Sequence, residues 1–97
     1  MTVYAISTDL IDGSKLRGAI DGLRVVRPGD DLDSAEVVLV DLGLPGALEA
    51  AIASGGRVIA YGSHVDEAVL DAASAAGADA MPRSVFFRRL RDGTLLG

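Results

Sequence analysis

The sequence contains no cysteine and no tryptophan, and histidine occurs once. The absence of cysteine excludes disulfides, thiolate metal ligands and cysteine nucleophiles. The single histidine, His64, forms neither a metal site nor a catalytic dyad by itself, and we interpret it as a solvent-facing turn residue. Aromatic residues make up 4% of the chain, so the core of this 97-residue protein must consist mainly of Val, Leu, Ile and Ala. Such a core is large enough for one domain to fold alone.

Basic residues are in the minority, since the sequence contains nine Lys and Arg but fourteen Asp and Glu. A nucleic-acid partner is therefore not expected, because neutralising phosphates requires a basic face. Long apolar runs and the charged-then-apolar order of a signal peptide are also absent, so we expect a cytoplasmic protein without membrane contact. Four arginines cluster near the end, which is typical of a solvated helix face, with a docking patch as the alternative. They are Arg83, Arg88, Arg89 and Arg91.

Short apolar runs alternate with segments of helical periodicity along the whole chain. No internal repeat or linker interrupts this alternation, which predicts a single domain over residues 1–97 with no output domain after its last helix. The runs predict five strands, at Val3–Ile6, 23–26, Val37–Asp41, 57–61 and 78–81. Strands that alternate with helices favour a parallel sheet with right-handed crossovers. We therefore predict a three-layer α/β/α sandwich with a five-stranded parallel sheet of order 2-1-3-4-5.

Two connections carry specific expectations. The segment between the second and third strands is shorter than the roughly 10–12 residues of a normal crossover, so its helix is expected to be shortened or absent. The first helix should follow Ser7, Thr8 and Asp9, which are all good N-cap residues. Leu10, Ile11 and Leu16 recur at near-helical spacing and are expected on its buried side.

The run from Val37 to Gly46 carries the strongest functional signal. Four apolar residues lead into Asp41, and a turn rich in Gly and Pro follows at once. A carboxylate at the carboxyl end of a buried parallel strand lies where open α/β sheets bind their ligands. The alternative is that Asp41 caps the next helix or bonds the turn.

The order and spacing of these motifs resemble the receiver domain of bacterial response regulators. Residues 37–46 are similar to the receiver's third strand, with its phospho-accepting aspartate and Leu-x-Leu-Pro-Gly turn. Residues 58–64 resemble the fourth strand and its turn, and residues 77–79 form the Gly-Ala-Asp that leads into strand five. The resemblance implies a flavodoxin-like fold.

The resemblance also implies a phosphoryl site of five parts. Two acids after strand one hold Mg²⁺, an aspartate on strand three accepts the phosphoryl group, and a Ser or Thr and a Lys follow strands four and five. Of these parts only Asp41 is present. A serine and a threonine replace the acid pair, a glycine followed by a serine replaces the hydroxyl residue, and an arginine replaces the lysine. The corresponding positions hold Ser7, Thr8, Asp9, Gly62, Ser63 and Arg83.

The departures from the family pattern favour a pseudo-receiver, which acts by contact with a protein partner or as a homodimer. We expect no catalysis, no cofactor and no resident metal in this case. With the metal ligands gone, Arg83 is expected to pair with Asp41 and hold one state. The residues expected to present the interaction face are Tyr61, Phe86, Phe87 and Arg88, with one of the two phenylalanines serving as a core anchor.

Two other functions remain open. A working receiver would be phosphorylated on Asp41 and would hold Mg²⁺ through Asp9 and Asp41, because Mg²⁺ often uses only one or two carboxylates. A flavodoxin-like domain would instead bind a small molecule in the crevice between the ends of strands one and three.

Overall fold

Five parallel strands form one sheet in the order β2-β1-β3-β4-β5, in a computed structural model that describes all 97 residues. The predicted topology, a flavodoxin-like α/β fold, is thereby confirmed. The elements in chain order are β1 (Val3–Ile6), α1 (Leu10–Ala19), β2 (Arg24–Val26), β3 (Val37–Asp41), α2 (Ala47–Ala53), β4 (Arg57–Gly62), α3 (Glu67–Ala75), β5 (Asp79–Pro82) and α4 (Arg83–Asp92). Residues 27–36 contain turns but no helix, as the short second crossover predicts. None of the helices has the length and apolar content that crossing a membrane requires.

Side chains of the strands alternate between two separate apolar cores, because successive residues of a strand point to opposite faces of the sheet. On one face the strands pack against α1 and α4, which contribute large side chains, namely Leu16, Phe86 and Leu90. On the other face they pack against α2 and α3, which bury only alanines there. The layer formed by α1 and α4 therefore contains three of the four aromatic side chains, and Tyr4 lies in the other core.

The orientation of α1 differs from the predicted one. Leu10 and Ile11 are 87% and 68% exposed, whereas Asp12 is only 1% exposed and Leu16 is fully buried. The helix begins where expected, since the Asp9 carboxylate accepts hydrogen bonds from the backbone N–H groups of Ile11 and Asp12. The face of the helix turned to the sheet carries Asp12 and Leu16. The helix consequently buries a carboxylate and exposes two large apolar side chains.

Two glycines illustrate opposite packing constraints. Gly56, in the tight connection between α2 and β4, leaves no space for a side chain, because a Cβ built there would lie 2.8 Å from the carbonyl oxygen of Ala35. Gly18 lies on the exposed side of α1, and a Cβ built there would meet no heavy atom within 4 Å.

We expect alanine to have opposite effects at these two positions. Gly56→Ala should lower the free energy of unfolding by about 1–3 kcal/mol, as overpacking does, whereas Gly18→Ala should raise it by up to about 1 kcal/mol through helix propensity. Urea denaturation monitored by circular dichroism measures both values. Equal effects of the two substitutions would contradict the close approach at Gly56.

Candidate functional site

The carboxyl edge of the sheet collects the residues that the sequence singles out. Because all strands are parallel, their carboxyl ends share this edge. Ser7 directly follows β1, Asp41 ends β3, Gly62 ends β4, and Arg83 follows β5 as the first residue of α4. The predicted site residues therefore share one edge of the fold.

Two clefts divide this edge. Asp41, Gly62, Ser63, His64 and Arg83 line one of about 410 Å³, which lies across the ends of β3, β4 and β5. We call it the β3–β5 cleft.

The second cleft, of about 400 Å³, lies at the ends of β1 and β2 and is lined by residues that include Ser7, Thr8 and Asp9. The residues at the positions of the family's acid pair thus open into a different cleft from Asp41. Neither of these two clefts lies between the ends of strands one and three, where a crevice was expected. Nowhere in the protein do three or more His, Asp or Glu side chains form a group that could hold a metal ion.

Asp41 is half-buried, and its carboxylate bonds its own turn. Oδ1 accepts a hydrogen bond of 2.9 Å from the backbone N–H of Gly43, the arrangement of an Asx turn. No Lys or Arg nitrogen lies within 4 Å of this carboxylate. The predicted ion pair between Arg83 and Asp41 is therefore wrong.

Arg83 pairs with Asp12 instead. The guanidinium makes two hydrogen bonds to the carboxylate, one from Nη1 to Oδ2 at 2.7 Å and one from Nη2 to Oδ1. The Asp12 side chain is 1% exposed and that of Arg83 is 47% exposed. The Tyr61 hydroxyl donates a further hydrogen bond of 3.3 Å to Oδ2 of Asp12. A buried carboxylate requires such partners, whereas the exposed turn at Asp41 supplies its own donor. This difference explains why Arg83 pairs with Asp12 and not with Asp41.

An aromatic cluster lies beneath this ion pair. The ring of Tyr61 is centred 4.4 Å from that of Phe86 and 5.2 Å from that of Phe87. The guanidinium carbon of Arg83 lies 4.7 Å from the centre of the Phe87 ring and 5.6 Å from that of Tyr61. At these distances the cation is attracted to the ring faces. Arg83 thus covers the open end of the cluster while it holds Asp12.

Two of the four residues predicted for the interaction face, Tyr61 and Phe86, belong to this cluster, and the prediction is wrong for both. Tyr61 is 1% exposed and Phe86 is fully buried, so neither ring can touch a partner. Both point into the layer of α1 and α4, because their positions in β4 and α4 face the larger core. Phe87 is half-buried and Arg88 is exposed, so these two remain accessible. Phe86 is the core anchor expected of the pair.

Three groups at this edge have shifted pKa values. Burial raises the pKa of Tyr61 well above its ordinary value, and the carboxylates of Asp41 and Asp12 raise it further. The hydrogen bonds from Arg83 to Asp12 raise the pKa of Arg83. The backbone N–H of Asp12, helped by that of Ile11, lowers the pKa of Asp9. At neutral pH the edge therefore holds a neutral tyrosine, a cationic arginine and an ionised helix cap.

Sequence reasoning missed Asp12, the residue that organises the edge. Its one local signal is the spacing of four residues between Asp12 and Leu16, which places both side chains on the same face of a helix. The partner, Arg83, is 71 residues away. Leu10 and Ile11, which precede Asp12 directly, favoured the opposite rotation.

Comparison with protein-family models and with curated protein sequences gives no match for this chain. The resemblance to receiver domains consequently depends on the motifs around Asp41 and on the strand order.

Removing Arg83 should destabilise the protein more than removing both members of the pair. Arg83→Met leaves the buried Asp12 carboxylate with the Tyr61 hydroxyl alone, and we expect a loss of about 2–4 kcal/mol. The double variant Asp12→Asn/Arg83→Met contains no unpaired buried charge and should recover part of that loss. Urea denaturation of the single and double variants measures the coupling energy. Additive losses would mean that the two side chains do not interact in solution.

The buried Tyr61 hydroxyl predicts that the free energy of unfolding falls at alkaline pH. Its pKa is raised in the folded state, so its contribution to stability is complete below pH 10.0 and is lost as the pH rises further. Tyr61→Phe should lower stability by about 1 kcal/mol at pH 7 but should remove this alkaline loss. The two unfolding free energies should therefore converge above pH 10.0, as measured by urea denaturation across the pH series. A constant difference would contradict a protonated Tyr61 in the fold.

Proposed function

We propose that this chain is a pseudo-receiver, a receiver-like signalling module that acts through contact with a protein partner and not through phosphorylation. The observation that carries the proposal is the engagement of Arg83 with Asp12. In the family pattern the cation after the last strand meets the phosphoryl group on the aspartate of strand three. Here that cation is bonded to a buried carboxylate, and Asp41 is satisfied by its own turn.

The residues around Asp41 do not fit a magnesium ion of the receiver type. Phosphoryl transfer to a carboxylate requires neutralisation of the incoming negative charge, which the metal and its acid pair provide. Ser7 and Thr8 offer no carboxylate at the positions of that pair. Asp9 has one, but it accepts two backbone hydrogen bonds at the start of α1 and lines the other cleft. This donor set supports a function independent of phosphorylation.

The position after β4 also lacks the chemistry of a phosphoryl site. Gly62 has no hydroxyl to bind phosphoryl oxygens. The next residue, Ser63, is exposed, and its Oγ accepts a hydrogen bond from the Val65 backbone N–H at 3.4 Å. One feature favours a working receiver as the second candidate, since Asp41, Ser63 and Arg83 line the same cleft. For Arg83 to reach a phosphoryl group there, it would have to leave Asp12 buried and without its cation.

Amide NMR separates the two candidates. We expect that Mg²⁺, followed by beryllofluoride as a mimic of the phosphoryl group, leaves the amide resonances of residues at the carboxyl edge unchanged. Asp41→Asn is the matched control, because asparagine keeps an oxygen for the Gly43 N–H and cannot accept the mimic. Saturable shifts at the edge that Asp41→Asn abolishes would establish the working receiver and overturn the proposal.

A further inference from the structure

Charge is distributed unevenly over the two helices that share one face of the sheet. Together α1 and α4 contain six of the nine cationic residues but only two of the fourteen carboxylates. Both carboxylates contact an arginine, Asp12 through Arg83 and Asp92 through Arg91 at 3.6 Å. The cationic residues are Lys15, Arg17, Arg83, Arg88, Arg89 and Arg91. A protein of net charge −5 thus has one strongly positive face.

A groove of about 590 Å³ runs between these helices, and we call it the α1–α4 groove. Its lining includes Ala19, Phe87 and Leu90 as apolar side chains and no carboxylate. The cations that line it are Lys15, Arg88 and Arg91. Apolar groups bordered by cations suit a ligand that carries both an apolar side chain and negative charge.

The groove follows from the helical period of α4. Phe87, Arg88 and Arg91 are spaced so that they share one face of the helix, while Phe86 points into the core and Leu90 lies between the core and the groove. On α1 the opposite side of the groove is formed in part by Gly18. This residue has no side chain, and a Cβ built there would meet no heavy atom within 4 Å. Lys15 borders the groove with its Nζ 5.4 Å from the centre of the Phe87 ring.

We propose that the α1–α4 groove binds an acidic peptide segment of a partner protein, with an apolar side chain seated between Gly18 and Phe87. Carboxylates of the segment meet Arg88, Arg91 and Lys15. This assignment rests on the proposed function and deepens it, because it names the surface and the chemistry of the partner. The groove is distinct from the β3–β5 cleft in composition, since apart from Ser84 the two have no lining residue in common.

Charge complementarity favours this occupant over the alternatives. A nucleic acid would make little use of the apolar lining, and the rest of the chain, with three cations and twelve carboxylates, would repel it. A second copy could offer the exposed Val65 and Val69, which lie close to Glu67 and Asp71. However, α3 and the groove lie on opposite faces of the sheet, and such a head-to-tail contact would generate a ring or an open-ended chain and not a closed dimer.

Peptide selection tests the proposal even while the partner is unidentified. A random peptide-display library is selected on the wild-type protein, with counter-selection against Gly18→Trp, whose side chain fills the groove. We expect enriched peptides that combine Asp or Glu with a large apolar residue, and binding that weakens as salt rises. Gly18→Ala leaves the groove open and serves as the control for the tryptophan variant.

Charge reversal on α4 provides a matched pair that does not depend on the tryptophan variant. Arg88→Glu lines the groove and should weaken binding of a labelled enriched peptide about tenfold or more in fluorescence anisotropy. Arg89→Glu changes the net charge equally on the same helix but lies outside the groove lining, and should weaken binding less than about threefold. Equal effects of the two variants would mean that the peptide responds to the overall charge of the protein and not to the groove, and would overturn the proposal.

Other outcomes also decide the matter. No enrichment of acidic peptides, or equal binding to Gly18→Trp, overturns the groove assignment. Binding of a DNA duplex that Arg88→Glu abolishes would assign the face to nucleic acid, and wild-type self-association lost in Asp71→Lys would assign it to a second copy. Failure of the pseudo-receiver proposal is distinguishable, because it appears as the beryllofluoride response at Asp41, whereas peptide binding should be the same in wild type and Asp41→Asn.

Discussion

The ion pair between Asp12 and Arg83 is the interaction on which the carboxyl edge of the fold depends. It joins the first turn of α1 to the first turn of α4 across 71 residues, and it closes over the ring of Tyr61. A carboxylate that is 1% exposed is tolerated only with strong partners. The pair therefore dictates the rotation of α1, the exposure of Leu10 and Ile11, and the distance kept between Arg83 and Asp41.

The two faces of the sheet solve the packing problem differently. On the face of α2 and α3 the helices bury only alanines. On the face of α1 and α4 the helices bury long and aromatic side chains, and the Asp12 carboxylate and Tyr61 hydroxyl lie at one end of this layer. No buried side-chain polar atom lacks a partner. Such complete satisfaction is typical of a rigid polar network.

The sequence predicted the parts of the fold that depend on local pattern. The strand at Val37–Asp41 agrees with the structure residue for residue, because a continuous apolar run ended by an aspartate and a turn allows few other interpretations. The strand order followed from the alternation of strands and helices, which favours a doubly wound sheet. The placement of Asp41 at the carboxyl edge followed from the direction of its strand.

What the sequence could not provide is the long-range pairing. Leu10 and Ile11 favour one rotation of α1 and Leu16 another, and only the contact with Arg83 decides between them. Likewise the family pattern pairs the cation after the last strand with Asp41, but the burial of Asp12 makes it the stronger competitor. Tyr61 and Phe86 are buried because each lies on the side of its element that faces the core. The periodicity of a six-residue strand and of the following helix did not determine which side that is.

Helix α4 contributes both to the ion pair at the carboxyl edge and to the α1–α4 groove. The first turn of α4 directs Arg83 toward Asp12, where its charge is neutralised within the fold. The next turns place Arg88 and Arg91 along the α1–α4 groove, whose lining contains no carboxylate, and Arg91 contacts only the exposed Asp92. An internally paired site offers a ligand little electrostatic gain, because its own partner must first be displaced. The groove offers that gain at Lys15 and Arg88, which form no ion pair within the fold. The recognition that we propose therefore uses the groove between α1 and α4, and the ion pair at the carboxyl edge links these two helices.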